Sequence, residues 1–287
     1  MGDATVGRRR LGIDLRRQRE QSELTNAQVA REAGLSEATL SRIETGKRVV
    51  KPSELNRLMD LYGVCDAEQR ERFAAMSKVT AEDNWWDDYD DVLPSGLGSY
   101  VGLEAEADRL RTYHPNVIHS LIATESYTRA VVSATLPARS LMGQEDIDRL
   151  VALKMQRRRV LERDKPLRLW TIVDEAALRR PIGGPEVMRE QCAHLVEMAS
   201  HPNITVQIMP FSRGPHIGLI GSFTLIEFAN PEDLDHVYIE SPAGNLFLQK
   251  QPLVEEFRER FSLMSASALA PEDVEALVDD IAKDVTE

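Results

Sequence analysis

Residues 24–48, LTNAQVAREAGLSEATLSRIETGKR, leave few local structures open. Leu24, Val29, Ala30, Ala33, Leu35, Leu40 and Ile43 recur at the three- and four-residue spacing of short amphipathic helices. Thr25 is a natural N-cap, and Gln28 stands where a capping box places its return partner. Gly34 follows a helix of 26–33, where a left-handed residue is expected. Ser36 then caps a second helix that runs to about Thr45, and Gly46 ends it. Two short helices joined by a glycine turn, with the small Ala30 at their crossing, read as a helix-turn-helix. Leu11 and Leu15 predict a helix before the motif. Leu55, Leu58 and Leu61 predict one over about 53–63, and Asp66 with Gln69 opens another. The first 81 residues therefore read as an all-α domain of five helices.

The charge distribution agrees with this division. The chain of 287 residues has a formal net charge of -12, which taken whole disfavours a nucleic-acid partner. Residues 1–62, however, hold 12 Lys/Arg against 9 Asp/Glu, while the remaining 225 hold 23 against 38. Affinity for phosphate follows the local basic patch rather than the chain average.

The motif resembles the Xre type, the phage-repressor-like DNA-binding domains. The resemblance rests on Ala30, Gly34, Leu35, Leu40, Ile43 and the terminal Ile-Glu-x-Gly at 43–46; Asn26 departs from it, standing where the family usually has Gln. It implies that the helix 36–45 enters the major groove of double-stranded DNA. Glu37, Ala38, Ser41 and Arg42 are then the outward positions that meet base edges. Arg42 can fork onto guanine, Glu37 can accept from cytosine N4, and Ala38 offers a methyl to thymine. Ser36 and Thr39 suit phosphates or caps. Asn26 and Gln28, at the start of the first motif helix, complete the DNA-facing set with Lys47 and Arg48, which are expected on the phosphate backbone. Arg8, Arg9 and Arg10 are expected to form an additional basic arm. The resemblance also implies that Glu44 pairs with Arg19, a structural ion pair holding the motif together.

Residues 82–98 mix acid with Trp85, Trp86 and Tyr89 and read as a linker: a docking segment or an ordinary cap on a domain. From 99 the pattern predicts helices at 99–113, 125–135, 144–163 and 185–200. Strands are predicted at 167–173, 204–209, 222–228, 236–240 and 245–248, and closing helices at 251–266 and 271–284. The fold class expected is α+β: the helical domain, then a domain with a mixed sheet over 99–287.

Four stretches of this second half carry another resemblance: TESYTRAVV (124–132), VDEAALRRPIGGPEVMREQCAHL (173–195), NITVQIMPFSRGPHIGLIGSFTLIEF (203–228) and HVYIESPAGNLFL (236–248). They are similar to the C-terminal domain of unknown function that actinobacterial regulators place behind an Xre-type motif. His119 and Ser120 stand where that family tends to have Pro-Gly. Such regulators are often antitoxin-like and encoded beside a small partner protein. The expected protein is a transcriptional regulator. One motif makes too few contacts for useful specificity, so a two-fold homodimer on a palindromic operator is expected, controlled through the second domain by a small partner protein or a small-molecule effector. An enzyme domain fused to the DNA-binding module is the lesser alternative.

Other functions find little purchase. The six histidines form no HExxH, Ser222 lies in no GxSxG elbow, and Cys65 and Cys192 form no CxxC. Neither a metal nor an organic cofactor is expected, and no enzymatic activity. Asp174, Glu175 and Glu240 lie at strand ends but read as caps and solvated positions. The loop Ser212–His216 either lines a ligand pocket with Trp170, Arg179, Arg213 and His216 or is a long hairpin-like connection. No apolar run reaches the roughly 18 residues of a membrane span, and no signal-peptide core follows the N-terminal arginines. A cytoplasmic, nucleoid-associated protein is expected.

Overall fold

A computed structural model describes residues 6–46, 48–82, 85–89, 91–94, 96–135, 143–230, 233–241 and 244–284. It divides into two compact units. The first comprises residues 1–90 and 96–106, the second residues 91–95 and 107–287.

The first unit contains α1 (Val6–Gln21), α2 (Asn26–Ala33), α3 (Glu37–Glu44), α4 (Pro52–Leu61) and α5 (Ala67–Glu82), the five helices expected. A 3-10 turn at Trp85–Tyr89 and α6 (Leu97–Glu106) complete it. Trp86 is buried and meets Trp85 edge to face at 5.9 Å. The apolar positions read from the sequence form one core, from Leu11 and Leu15 through Val29, Ala30, Leu40 and Ile43 to Leu55, Leu58 and Phe73. Arg8, Arg9 and Arg10 belong to the first turns of α1, so they extend a helix rather than forming a separate arm.

The second unit is built on a six-stranded sheet of order β3-β2-β1-β4-β5-β6. The strands are β1 (Arg109–His114), β2 (Arg168–Asp174), β3 (Ile204–Met209), β4 (Phe223–Glu227), β5 (His236–Ile239) and β6 (Leu246–Leu248). β1, β2 and β3 run parallel, and β4, β5 and β6 continue the sheet antiparallel. The helices are α7 (Glu125–Thr135), α8 (Gln144–Arg157), α9 (Glu175–Arg179), α10 (Pro185–Ala199), α11 (Gln251–Ser267) and α12 (Val274–Asp284). α11 covers one sheet face, where Tyr113, Ile172, Met209, Phe223 and Leu225 pack on Val254, Phe261 and Met264. The other face buries Leu110, Thr112, Leu169, Thr171, Val206 and Ile208, and the Thr112 hydroxyl donates to that of Thr171 across the ladder at 2.9 Å.

The expected helix 99–113 does not exist as one element. α6 stops at Glu106, and residues 109–114 are the strand between β2 and β4. The sequence Arg-Leu-Arg-Thr-Tyr-His alternates only in part, and both faces of this strand lie under other elements; Arg111 is tolerated there because the Glu227 carboxylate lies 3.1 Å from its Nε as an ion pair. The helix expected over 144–163 likewise ends at Arg157 and tightens into a 3-10 turn over 158–161.

Candidate nucleic-acid interface

The helix-turn-helix is fixed by its termini. The Thr25 hydroxyl accepts the Gln28 amide N–H at 3.3 Å, and the Gln28 side-chain oxygen accepts the Thr25 N–H at 2.8 Å. This is the reciprocal capping box. Gln28 thus commits its carbonyl oxygen to the start of α2. At the other end Gly34 adopts φ 68, and the Leu35 N–H returns to the Ala30 carbonyl at 2.8 Å. The Arg57 guanidinium from α4 donates to the Ala33 carbonyl at 2.6 Å, closing the same end. Ser36 Oγ accepts the Thr39 N–H at 3.1 Å and lies 2.8 Å from the Thr39 hydroxyl. Both side chains therefore act at the cap of α3.

α3 has two dissimilar faces. Leu40, Ile43 and Glu44 are buried, while Glu37, Ala38, Ser41 and Arg42 are exposed. Arg42 Nε donates to the Ala38 carbonyl at 3.2 Å. That bond lays the side chain back toward the N-terminus of α3, the direction helical side chains favour. Asn26 is half-buried at the first turn of α2.

A buried ion pair locks the inner face. Arg19 donates to Glu44 through Nε at 2.7 Å and Nη2 at 3.0 Å, and through Nη1 to the Leu24 carbonyl at 3.0 Å. The Glu44 side chain retains 5% of its exposure and that of Arg19 12%. Burial first, then the Glu44 charge, pushes the nearby Tyr62 phenol above its ordinary range. Gly12 adds a contact that periodicity could not reveal. A Cβ there would lie 2.6 Å from the carbonyl oxygens of both Ile43 and Glu44, so α1 crosses the end of α3 at backbone distance.

The remaining basic positions divide. Lys47 lies outside the described residues. The Arg48 guanidinium forks onto Glu54 at 2.9 and 3.0 Å, and Glu54 also accepts the Lys51 N–H at 3.0 Å. The Arg48 fork is the leading cause holding the Glu54 carboxyl below its usual range. Arg48 thus serves the start of α4. The Glu54 signal was present in the sequence as an acid three residues beyond the cap position of a proline-led helix.

In the second unit, the four residues considered for a ligand pocket each have a local partner. Trp170 donates to Gln207 at 2.9 Å and stacks edge to face on Phe261. Arg179 donates to Glu175 at 2.6 Å, Arg213 donates to the Ser267 hydroxyl at 3.2 Å, and His216 Nε2 lies 3.7 Å from Asp174. Trp170 faces α11 from mid-strand, whereas Arg179 ends α9, and Arg213 and His216 lie in the loop that follows β3. Among the described residues no group of three or more His, Cys, Asp or Glu is placed to hold a metal ion. Among them, too, no helix is long and apolar enough to cross a membrane.

Residues 10–73 match the helix-turn-helix domain family. Searches of curated proteins and of solved structures returned no match. Residues 97–280, well over half of the chain, match the family described as a domain of unknown function, DUF5753, and the protein is a member of that family with a DNA-binding helix-turn-helix domain in front.

Proposed function

We propose that the protein is a sequence-specific transcriptional regulator of the Xre type, of the actinobacterial, antitoxin-like kind. On this reading it works in the cytoplasm at the nucleoid. It binds a palindromic operator as a homodimer, and its second unit receives the controlling signal from a small molecule or a small partner protein. The observation that carries this is the two-faced α3. Its inner side is held by Leu40, Ile43 and the Arg19–Glu44 pair, and Glu37, Ala38, Ser41 and Arg42 stand in solvent on one rigid surface. A single motif makes few base contacts, and a two-fold dimer places two of them about 34 Å apart on one side of the duplex. Control requires the effector to bind the DNA-competent and incompetent arrangements with different affinity.

Selection of bound sequences from a random duplex library tests the reading. The wild-type protein should enrich an inverted repeat. Arg42→Ala should lose about 1–3 kcal/mol of discrimination at one symmetric pair of positions. Lys47→Ala should weaken all sequences evenly and reduce the salt slope by about one. Enrichment of no sequence, or the same profile from Arg42→Ala as from wild type, overturns the base-reading role.

A further inference from the structure

We infer that the loop between β3 and β4 is the surface through which two copies of this chain associate. Phe211, Ile217, Leu219 and Ile220 are 57%, 40%, 70% and 69% exposed, and Leu263 on α11, one turn before the Ser267 that Arg213 of the loop reaches, is 52% exposed. The loop carrying them is held in place. The Phe211 N–H donates to buried Glu175 at 2.7 Å, and Arg213 donates to Ser267 at the end of α11. His216 Nδ1 accepts the Gly218 N–H at 3.2 Å, and the 3-10 turn Ile217–Ile220 packs on α11. A rigid loop that aims four large apolar side chains at water has already met the ordering cost that association would otherwise impose.

Charge and area identify the occupant. The chain carries -12, so two copies repel wherever their acidic faces meet. Residues 210–222 hold one formal charge, Arg213, in a chain that is 29% charged, so like-charged copies meet little repulsion at this surface. A basic protein would instead be drawn to the acidic faces. The five side chains leave about 500 Å² of apolar surface in water, at the upper end of what a monomer exposes. A standard interface of about 800 Å² per partner, some 60% apolar, needs about that much. A two-fold axis through the loop sets the same patch against itself.

This assignment rests on the dimer reading above, and the test separates the two. The full chain is followed by sedimentation equilibrium as wild type, as the double variant Leu219→Glu/Ile220→Glu, and as Leu246→Glu. Leu246→Glu is a control that places the same charge on a comparably exposed leucine of β6. The expected result is a wild-type dimer, an unchanged dimer for Leu246→Glu, and a dissociation constant raised about 100-fold or more in the double variant, with its far-UV circular dichroism unchanged. A double variant that stays dimeric overturns the surface assignment and leaves the dimer standing. A wild type that is monomeric at tens of micromolar, alone or with a different protein on this patch, overturns both.

Discussion

Arg19→Met is the perturbation that reads the architecture of the motif most directly. The wild-type guanidinium makes two bonds to Glu44 and one to the Leu24 carbonyl. Methionine fills part of the same volume and makes none of them. Glu44 keeps 5% of its side-chain exposure, so its charge would stay in place without its partner. Leaving one member of a buried pair costs about 3–5 kcal/mol. Against the total of about 5–15 kcal/mol that holds a domain together, that is a large fraction. The assay is urea denaturation of the full chain in a Trp170→Phe background, where Trp85 and Trp86 report on the first unit. With a slope near 2 kcal/mol per molar, the midpoint should fall by about 2 M. Adding Glu44→Leu removes the stranded charge, and the double variant should recover most of the loss, because an apolar pair of similar volume is often neutral against a buried ion pair. A loss below about 1 kcal/mol for Arg19→Met, or a double variant as unstable as the sum of the two singles, refutes the assignment of Arg19–Glu44 as the clasp between α1 and α3.

Three further outcomes are expected. Gly12→Ala should cost about 1–3 kcal/mol by forcing α1 away from the end of α3, read as a melting temperature lowered by roughly 5–15 °C for the first unit. Arg48→Ala should lower the stability of that unit by about 1 kcal/mol in the same denaturation assay, while the salt dependence of DNA binding stays that of wild type, because its fork is engaged by Glu54. The second unit should be acid-sensitive. Burial lowers the His114 pKa from 6.5 to about 4 and holds His119 well below its ordinary value, with Lys154 and Arg157 adding repulsion. Between pH 6.5 and 4 the unfolded chain therefore binds protons that the native unit refuses. Stability is complete above 6.5 and falls as the pH drops, by about 2 kcal/mol at pH 5 from His114 alone. Trp170 fluorescence in denaturant at pH 7 and pH 5 measures this, and His114→Gln should flatten the dependence.

What could be read in advance follows from how local each signal is. Thr25, Gln28, Gly34 and Ser36 act within one turn of their own position, so the ends of α2 and α3 were legible from composition and spacing. The Arg19–Glu44 pair spans 25 residues and became visible only through the resemblance of the motif to a known family. Gly12 carried no signal, because its reason is the carbonyl oxygens of Ile43 and Glu44, contributed by another helix. β1 was misread for a related reason. A strand with neighbours on both sides and cover on both faces need not keep the alternation of a half-exposed one: here Thr112 and Tyr113 are buried in succession, and Arg111 in its middle makes sense only beside Glu227. Arg48 shows the limit for charge. Sequence places a cation after the recognition helix, but whether its fork meets a phosphate or a carboxylate depends on Glu54, six residues on.

The length of α3 ties these observations to recognition. Eight residues are too few for a helix to persist alone in water, where about 12–15 are marginal. Its cap at Ser36 contributes about 1 kcal/mol and cannot close that gap. α3 therefore exists because Leu40 and Ile43 are buried and Glu44 is clasped, and the surface it shows to solvent is fixed by the same contacts. Residues on the inner face then affect DNA binding through the fraction of molecules with α3 in place, and their loss lowers affinity for every sequence in equal proportion. On the proposed function, residues on the outer face leave that fraction unchanged and should alter the ranking of sequences. On the function proposed above, the division between Glu44 and Arg42, two positions apart on one short helix, is a division between holding the reading surface and reading with it.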